Sequence, residues 1–212
     1  MKDLPMFMTE SGAASLIFRE IPYQGAAYVK IQDSRAPQQL LDDCVAVCRA
    51  AGAEKIYASG DPICENYPLY TRILRMQCDT QVLGDTDAAL FPVQETTLET
   101  WRTLYNSKLP RVPNGAWMTE ADGKQMLLTG EGYFVHRGDT LLGIGRVEGN
   151  VLRFVAAVQP DAGADVVRAL CHAVTADTVV LDVASTNEKA VALYEKLGFV
   201  PVSEVSSWYR VL

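Results

Sequence analysis

The chain has 212 residues, with 19 Lys and Arg against 26 Asp and Glu, a formal charge of -7 and 49% hydrophobic residues, the balance of an ordinary globular protein. Its acidity argues against a duplex-binding protein, which needs a basic face to displace counterions from phosphates. No run approaches the ~18 apolar residues of a membrane span, the start Met1-Lys2-Asp3-Leu4-Pro5 does not read as a signal peptide, and five scattered cysteines give no disulfide framework, so a cytoplasmic protein with neither nucleic acid nor membrane as partner is expected.

Residues 13–19 and 26–31 read as short strands separated by Pro22 and Gly25. Pro37 then opens a helix whose apolar positions Leu40, Leu41, Cys44, Val45, Cys48 and Ala51 recur at helical spacing, and Gly52 closes it. Cys44 and Cys48 lie one turn apart, a spacing open to a metal pair. They also sit in the middle of the apolar stripe, where free cysteine acts as a small hydrophobe, so no metal is expected. Lys55–Ser59 reads as a strand, Gly60-Asp61-Pro62 as a turn and residues 67–74 as a short helical pattern. The polar, turn-rich stretch 79–88 marks a boundary between a lobe of residues 1–87 and a domain of residues 88–212.

Residues 90–93 begin the second part as a strand. Thr97 opens a helix with Leu98, Trp101, Leu104 and Tyr105 on one side, and 119–128 is a further helix with Thr119-Glu120-Ala121-Asp122 as its capping start. Residues 132–136 and 140–147 alternate around an Arg137-Gly138-Asp139 turn, and Glu148-Gly149-Asn150 leads to the strand 151–158. Pro160 begins a helix with Val166, Val167, Leu170, Cys171 and Val174 inward. Residues 178–183 form a continuous apolar strand, 187–197 a last helix ending at Gly198, and 199–202 and 206–211 two closing strands. The order predicts a mixed α/β, or α+β, fold.

The segment Leu181-Asp182-Val183-Ala184-Ser185-Thr186-Asn187-Glu188-Lys189-Ala190-Val191-Ala192-Leu193-Tyr194-Glu195-Lys196-Leu197-Gly198-Phe199 resembles the carboxy-terminal signature of the GCN5-related N-acetyltransferases (GNAT family). The element order of residues 88–212 is similar to that family's as well. The resemblance implies a largely antiparallel mixed sheet flanked by helices, of the acyl-CoA N-acyltransferase kind, with acetyl-CoA as co-substrate. It implies N-acetylation of a small amine or peptide amine. Residues 26–71 echo residues 153–195 with poor identity, so the first part resembles a shortened copy, as in tandem members in which one half has lost its cofactor site. A catalytically silent binding or dimerisation module is the rival reading, and a homodimer is left open.

The resemblance assigns roles residue by residue. Ala156, Ala157 and Val158 would line the pantetheine arm on a splayed strand. Ala162, Gly163, Ala164, Asp165 and Val166 would form the pyrophosphate loop, where helix-start amides hold phosphates. Only Gly163 fits the family pattern well: Ala162 stands for Arg or Gln, Asp165 and Val167 replace glycines, and Asp161 adds a second acid. Asn187 would contact the pantetheine. Tyr194 would protonate the departing thiolate, or else belong to the stripe Ala190, Leu193, Leu197. Asp182 and Glu131 are the candidate proton acceptors, each also readable as an ordinary surface or capping acid. His136 and His172 have no Cys or Asp at triad spacing and read as structural.

Overall fold

The computed structural model describes residues 6–212. In chain order the elements are β1 (Met6–Thr9), β2 (Gly12–Ile17), α1 (Ile21–Gln24), β3 (Ala26–Ser34), α2 (Pro37–Ala50), β4 (Lys55–Ser59) and β5 (Leu69–Asp79). There follow β6 (Ala89–Pro92), α3 (Leu98–Lys108), α4 (Glu120–Thr129), β7 (Gly132–Arg137), β8 (Thr140–Glu148), β9 (Val151–Ala157), α5 (Gly163–Cys171), β10 (Thr178–Ala184), α6 (Glu188–Lys196) and β11 (Val200–Arg210). Contacts divide the chain into a smaller unit, residues up to Ile73 with Glu204–Leu212, and a larger one, Leu74–Ser203. The stretch 74–87 thus falls with the larger unit and 204–212 with the smaller, where the sequence reading places one cut at 87.

In the smaller unit β1, β2 and β3 form an antiparallel meander. Beyond it, β4 runs parallel to β3 through five pairs, Ala26↔Lys55 to Lys30↔Ser59. Strand alternation then sorts the side chains. Ala27, Val29, Ile31, Ile56 and Ala58 meet Leu40, Leu41, Cys44 and Cys48 of α2, while Tyr28 and Tyr57 turn to the other face beside Tyr70 and Trp208. Cys44 and Cys48 are buried and free, and burial pushes their thiols up to about 12 and about 11. No group of three His, Cys, Asp or Glu able to hold a metal occurs among the described residues.

In the larger unit the strands lie in the order β5-β10-β9-β8-β7-β6. The four from β6 to β9 are antiparallel, and β9–β10 is parallel. Val166, Val167 and Leu170 of α5 cover one face. On the other, Trp101 of α3 and Met126 of α4 pack on Phe134 and Ile144. The predicted capping start of α4 is present: the Thr119 hydroxyl accepts from the Asp122 N–H, and Asp122 accepts from the Thr119 N–H. No helix among the described residues is long and apolar enough to cross a membrane.

Three local expectations are corrected. Residues 67–74 do not form a helix; Leu69 begins the eleven-residue strand β5, in which Met76 and Cys78 are buried while Gln77 and Asp79 are exposed. Pairing and burial override a short helical spacing there. The two closing strands are one strand, β11. The helix expected at Pro160 starts at Gly163, because Asp161 adopts a left-handed backbone, φ 59°. The one-turn α1 and the strand β1 were not anticipated at all, both being too short to show a period.

Candidate functional site

In the larger unit the parallel pair β9–β10 is joined at only two positions, Val151↔Val180 and Leu152↔Leu181. Both strands continue for several residues beyond the last pair, so β9 keeps an open edge from Arg153 onward. The phase of its antiparallel ladder with β8 decides which groups face that edge. The Val158 N–H donates to the Leu142 carbonyl at 2.8 Å. Alternation therefore turns the peptide groups of Ala156 and Phe154 toward β8 and those of Val155 and Ala157 toward the open side. Of the three expected pantetheine residues, Ala157 presents its backbone to the opening, and Ala156 and Val158 are engaged with β8.

The loop after β9 enters α5 with no side-chain cap, Ala162 standing at the N-cap position. The Val166 N–H already donates to the Ala162 carbonyl at 3.0 Å, so Val166 is not an amide donor, and its side chain is buried. The first-turn amides of Gly163, Ala164 and Asp165 are those a helix leaves without intrahelical partners. Asp165 does not stand against them as an isolated charge. Its carboxylate pairs with Arg137 at 2.9 Å and Arg168 at 3.6 Å and accepts from the Thr86 hydroxyl at 3.4 Å. Arg137 holds Asp87 as well, at 2.7 Å. Val167, where the resemblance leads one to expect a glycine, is fully buried against the sheet. A Cβ on Gly163 would lie 2.9 Å from Leu193 Cδ2 of α6, so this glycine lets two helices approach at the start of α5.

Tyr194 on α6 is 9% exposed and its ring packs 5.6 Å from that of Phe199. Burial, with the Cys171 thiol nearby, pushes its phenol up to about 12. Such a phenol can donate a hydrogen bond to a thiolate. It does not surrender its proton readily, since a thiol of ordinary pKa ~8.5 is the stronger acid. Asn187 precedes α6, and its side chain makes no capping bond, which leaves the amide available.

Both expected proton acceptors are committed elsewhere. Asp182 makes a two-point ion pair with Arg75, 2.8 and 2.9 Å. Glu131, on the loop between α4 and β7, takes Arg146 Nε at 2.7 Å and its terminal nitrogen at 2.6 Å. Guanidinium N–H groups thus bond both oxygens of Asp182 and one oxygen, Oε2, of Glu131, and each pairing favours the charged carboxylate over its protonated form. His172 is exposed at the end of α5. His136 lies between the rings of Phe91 and Phe134 and lines a cleft of about 650 Å³ with Gln94, Thr100 and Asp139.

Sequence reasoning missed Arg137, Gly143 and Gly145. A Cβ on Gly143 would meet Val166 Cγ2 at 2.6 Å, and one on Gly145 would meet Leu170 Cδ1 at 2.2 Å. These glycines on β8 let α5 settle onto the sheet and so fix where its uncapped start lies. The alternation Leu142-Gly143-Ile144-Gly145 was visible in the chain, but without the partner helix it reads only as a weak strand.

No family model and no curated protein matches the chain in sequence. Solved structures do match in fold. A functionally unknown conserved protein from Staphylococcus epidermidis is 9% identical, with 98% of this chain and 93% of that one covered and a TM-score of 0.61. A GCN5-related N-acetyltransferase from Sphaerobacter thermophilus is 11% identical, covering 94% and 76%, TM-score 0.61. A tandem GNAT protein from the clavulanic acid biosynthesis pathway is 12% identical, covering 94% and 78%, TM-score 0.53. The chain shares the mixed α/β fold of these structures, two of which are described as GNAT proteins, and at such identities the likeness speaks to fold alone.

Proposed function

We propose that the chain is an acetyl-CoA-dependent N-acetyltransferase acting on a small amine or peptide amine. The observation that carries this is the parted β9–β10 pair beside an uncapped helix start. An extended amide-bearing arm can complete the edge of β9 at Val155 and Ala157, as an added strand would, and the amides of Gly163, Ala164 and Asp165 can receive a pyrophosphate. The coenzyme would supply an acetyl group activated as a thioester. Asn187 would hold the arm, and Tyr194 would donate a hydrogen bond toward the sulfur. Asp182 and Glu131 stay with their arginines in this reading, so the proton of the acceptor amine leaves through water to the bulk solvent.

Both units run β-β-β-α-β with the last pair parallel. That order supports the reading of the first part as a shortened, GNAT-like lobe. Its β3–β4 pair is closed over five positions, so a coenzyme arm would belong to the larger unit alone. The burial of Tyr194 and the engagement of both acids favour a second reading, a GNAT-fold binding module with a degenerate coenzyme site. Transfer of labelled acetyl groups to a panel of small amines and amino-terminal peptides separates the two: turnover supports the enzyme, and coenzyme binding without turnover on any acceptor supports the module.

A further inference from the structure

We propose that the smaller unit holds a ligand site of its own, a pocket for a small zwitterion of the amino-acid type. It is a cavity of about 330 Å³, at the small end of the ~300–1,000 Å³ range of small-molecule sites. It opens outside the carboxyl ends of the parallel strands β3 and β4, where open α/β sheets commonly place ligands. Lys30 and Ser59 are direct partners across that pair and both line the pocket, with Asp61, Glu65, Ser206 and Tyr209 around them.

The charges and donors select the ligand. Ser59 lines the pocket with a hydroxyl that no side chain or backbone group among the described residues bonds, although the residue as a whole is only 4% exposed. Lys30 has no carboxylate partner among the described residues, and the Ser206 hydroxyl accepts from Trp208 Nε1 at 3.0 Å while keeping its own proton to donate. These three line one pocket and are its donors for a carboxylate. Asp61 is occupied: it accepts from the Ile63 N–H at 2.9 Å and from the Ser34 hydroxyl. Glu65 is exposed, has no ion-pair partner among the described residues, and lines the pocket. A simple carboxylate would meet one cation and two anions, and a simple amine would meet Lys30. A molecule carrying both charges answers Lys30 with one end and Glu65 with the other. The site does not depend on the coenzyme reading of the larger unit.

The test is calorimetric titration of the full chain with L-norvaline, pentanoate and butylamine, which share a carbon skeleton and differ in charge. Norvaline is expected to bind at least about tenfold tighter than either single-charge relative, the scale of one charge-assisted contact. Lys30→Met and Glu65→Gln, both at exposed positions that leave folding intact, are each expected to lower norvaline affinity by about tenfold. Ligand-induced amide shifts in a protein NMR spectrum should centre on Ser59 and Gly60. No binding of norvaline, affinities equal among the three compounds, or indifference to both substitutions would overturn the proposal.

Discussion

Asp165 is where the net charge of -7 bears on ligand binding. Read from the chain alone, it puts a carboxylate at the start of α5 and counts against any anion there. In the fold it is answered by Arg137 and Arg168, and that compensation makes a measurable prediction. Arg137→Gln should weaken coenzyme A binding, by a few-fold at most for so exposed a pair. Adding Asp165→Asn should restore it, as a double-mutant cycle by calorimetry would record. Equal loss in the single and double variants would show that Arg137 acts otherwise. At Tyr194, Phe should lower acetyl transfer about a hundredfold, the scale of one lost donor to a developing anion, with coenzyme affinity and melting temperature near those of the parent. Tyr194 and Asn187 were read from the signature segment 181–199, and Gly163 from the separate match of its loop to the family's pyrophosphate pattern. The partners of Asp182 and Glu131 were not, since Arg75 lies 107 positions from the first and Arg146 is 15 from the second, and no local pattern reports such pairing.

At the scale of elements, β8 and α5 depend on each other through missing side chains. Alanine in a strand ordinarily gains over glycine by restricting the unfolded chain. At Gly145 the added Cβ would sit 2.2 Å from Leu170 Cδ1, so the overpacking cost of about 1–3 kcal/mol wins. Gly145→Ala is therefore expected to lower the denaturant midpoint with an unchanged slope, and Leu170→Val to recover part of the loss; a stabilised Gly145→Ala protein would contradict that packing. Element types were readable where a period is long, as in α2, α4 and α6. The decisive feature, the parting of β9 from β10, was expected from family resemblance and had no signal in the residues themselves, because strand pairing is a tertiary choice. The strand β5 was misread for the same reason: its apolar positions follow the pairing of the sheet.

At the scale of the whole molecule, buried acids that stay protonated make stability depend on pH. Desolvation raises Cys44 and Cys171 to about 12, Cys48 to about 11 and Tyr194 to about 12. In the unfolded chain thiols lose protons near pH ~8.5 and tyrosine near ~10. Above those values the unfolded chain binds fewer protons than the folded one, so the stability is fully present below about pH 8.5 and falls as pH rises toward 12, by about 1.4 kcal/mol per pH unit for each group ionised only on unfolding. Chemical denaturation between pH 8 and 11 should show a steadily falling midpoint, less steep in Cys171→Ala; a flat profile would contradict the burial of these groups.

The parallel pair joined at only two positions lies in Leu74–Ser203, while the parallel pair of the other unit is closed over five, so the proposed function assigns the coenzyme to the larger unit. Calorimetric titration of the full chain with acetyl-CoA tests this most directly, alongside an Ala157→Pro variant that removes the one N–H argued to meet the arm at that position. One molecule bound per chain, with affinity lowered tenfold or more in the variant, is the predicted result on the scale of a lost buried hydrogen bond. Absence of binding at millimolar acetyl-CoA, or two molecules bound per chain, would contradict it.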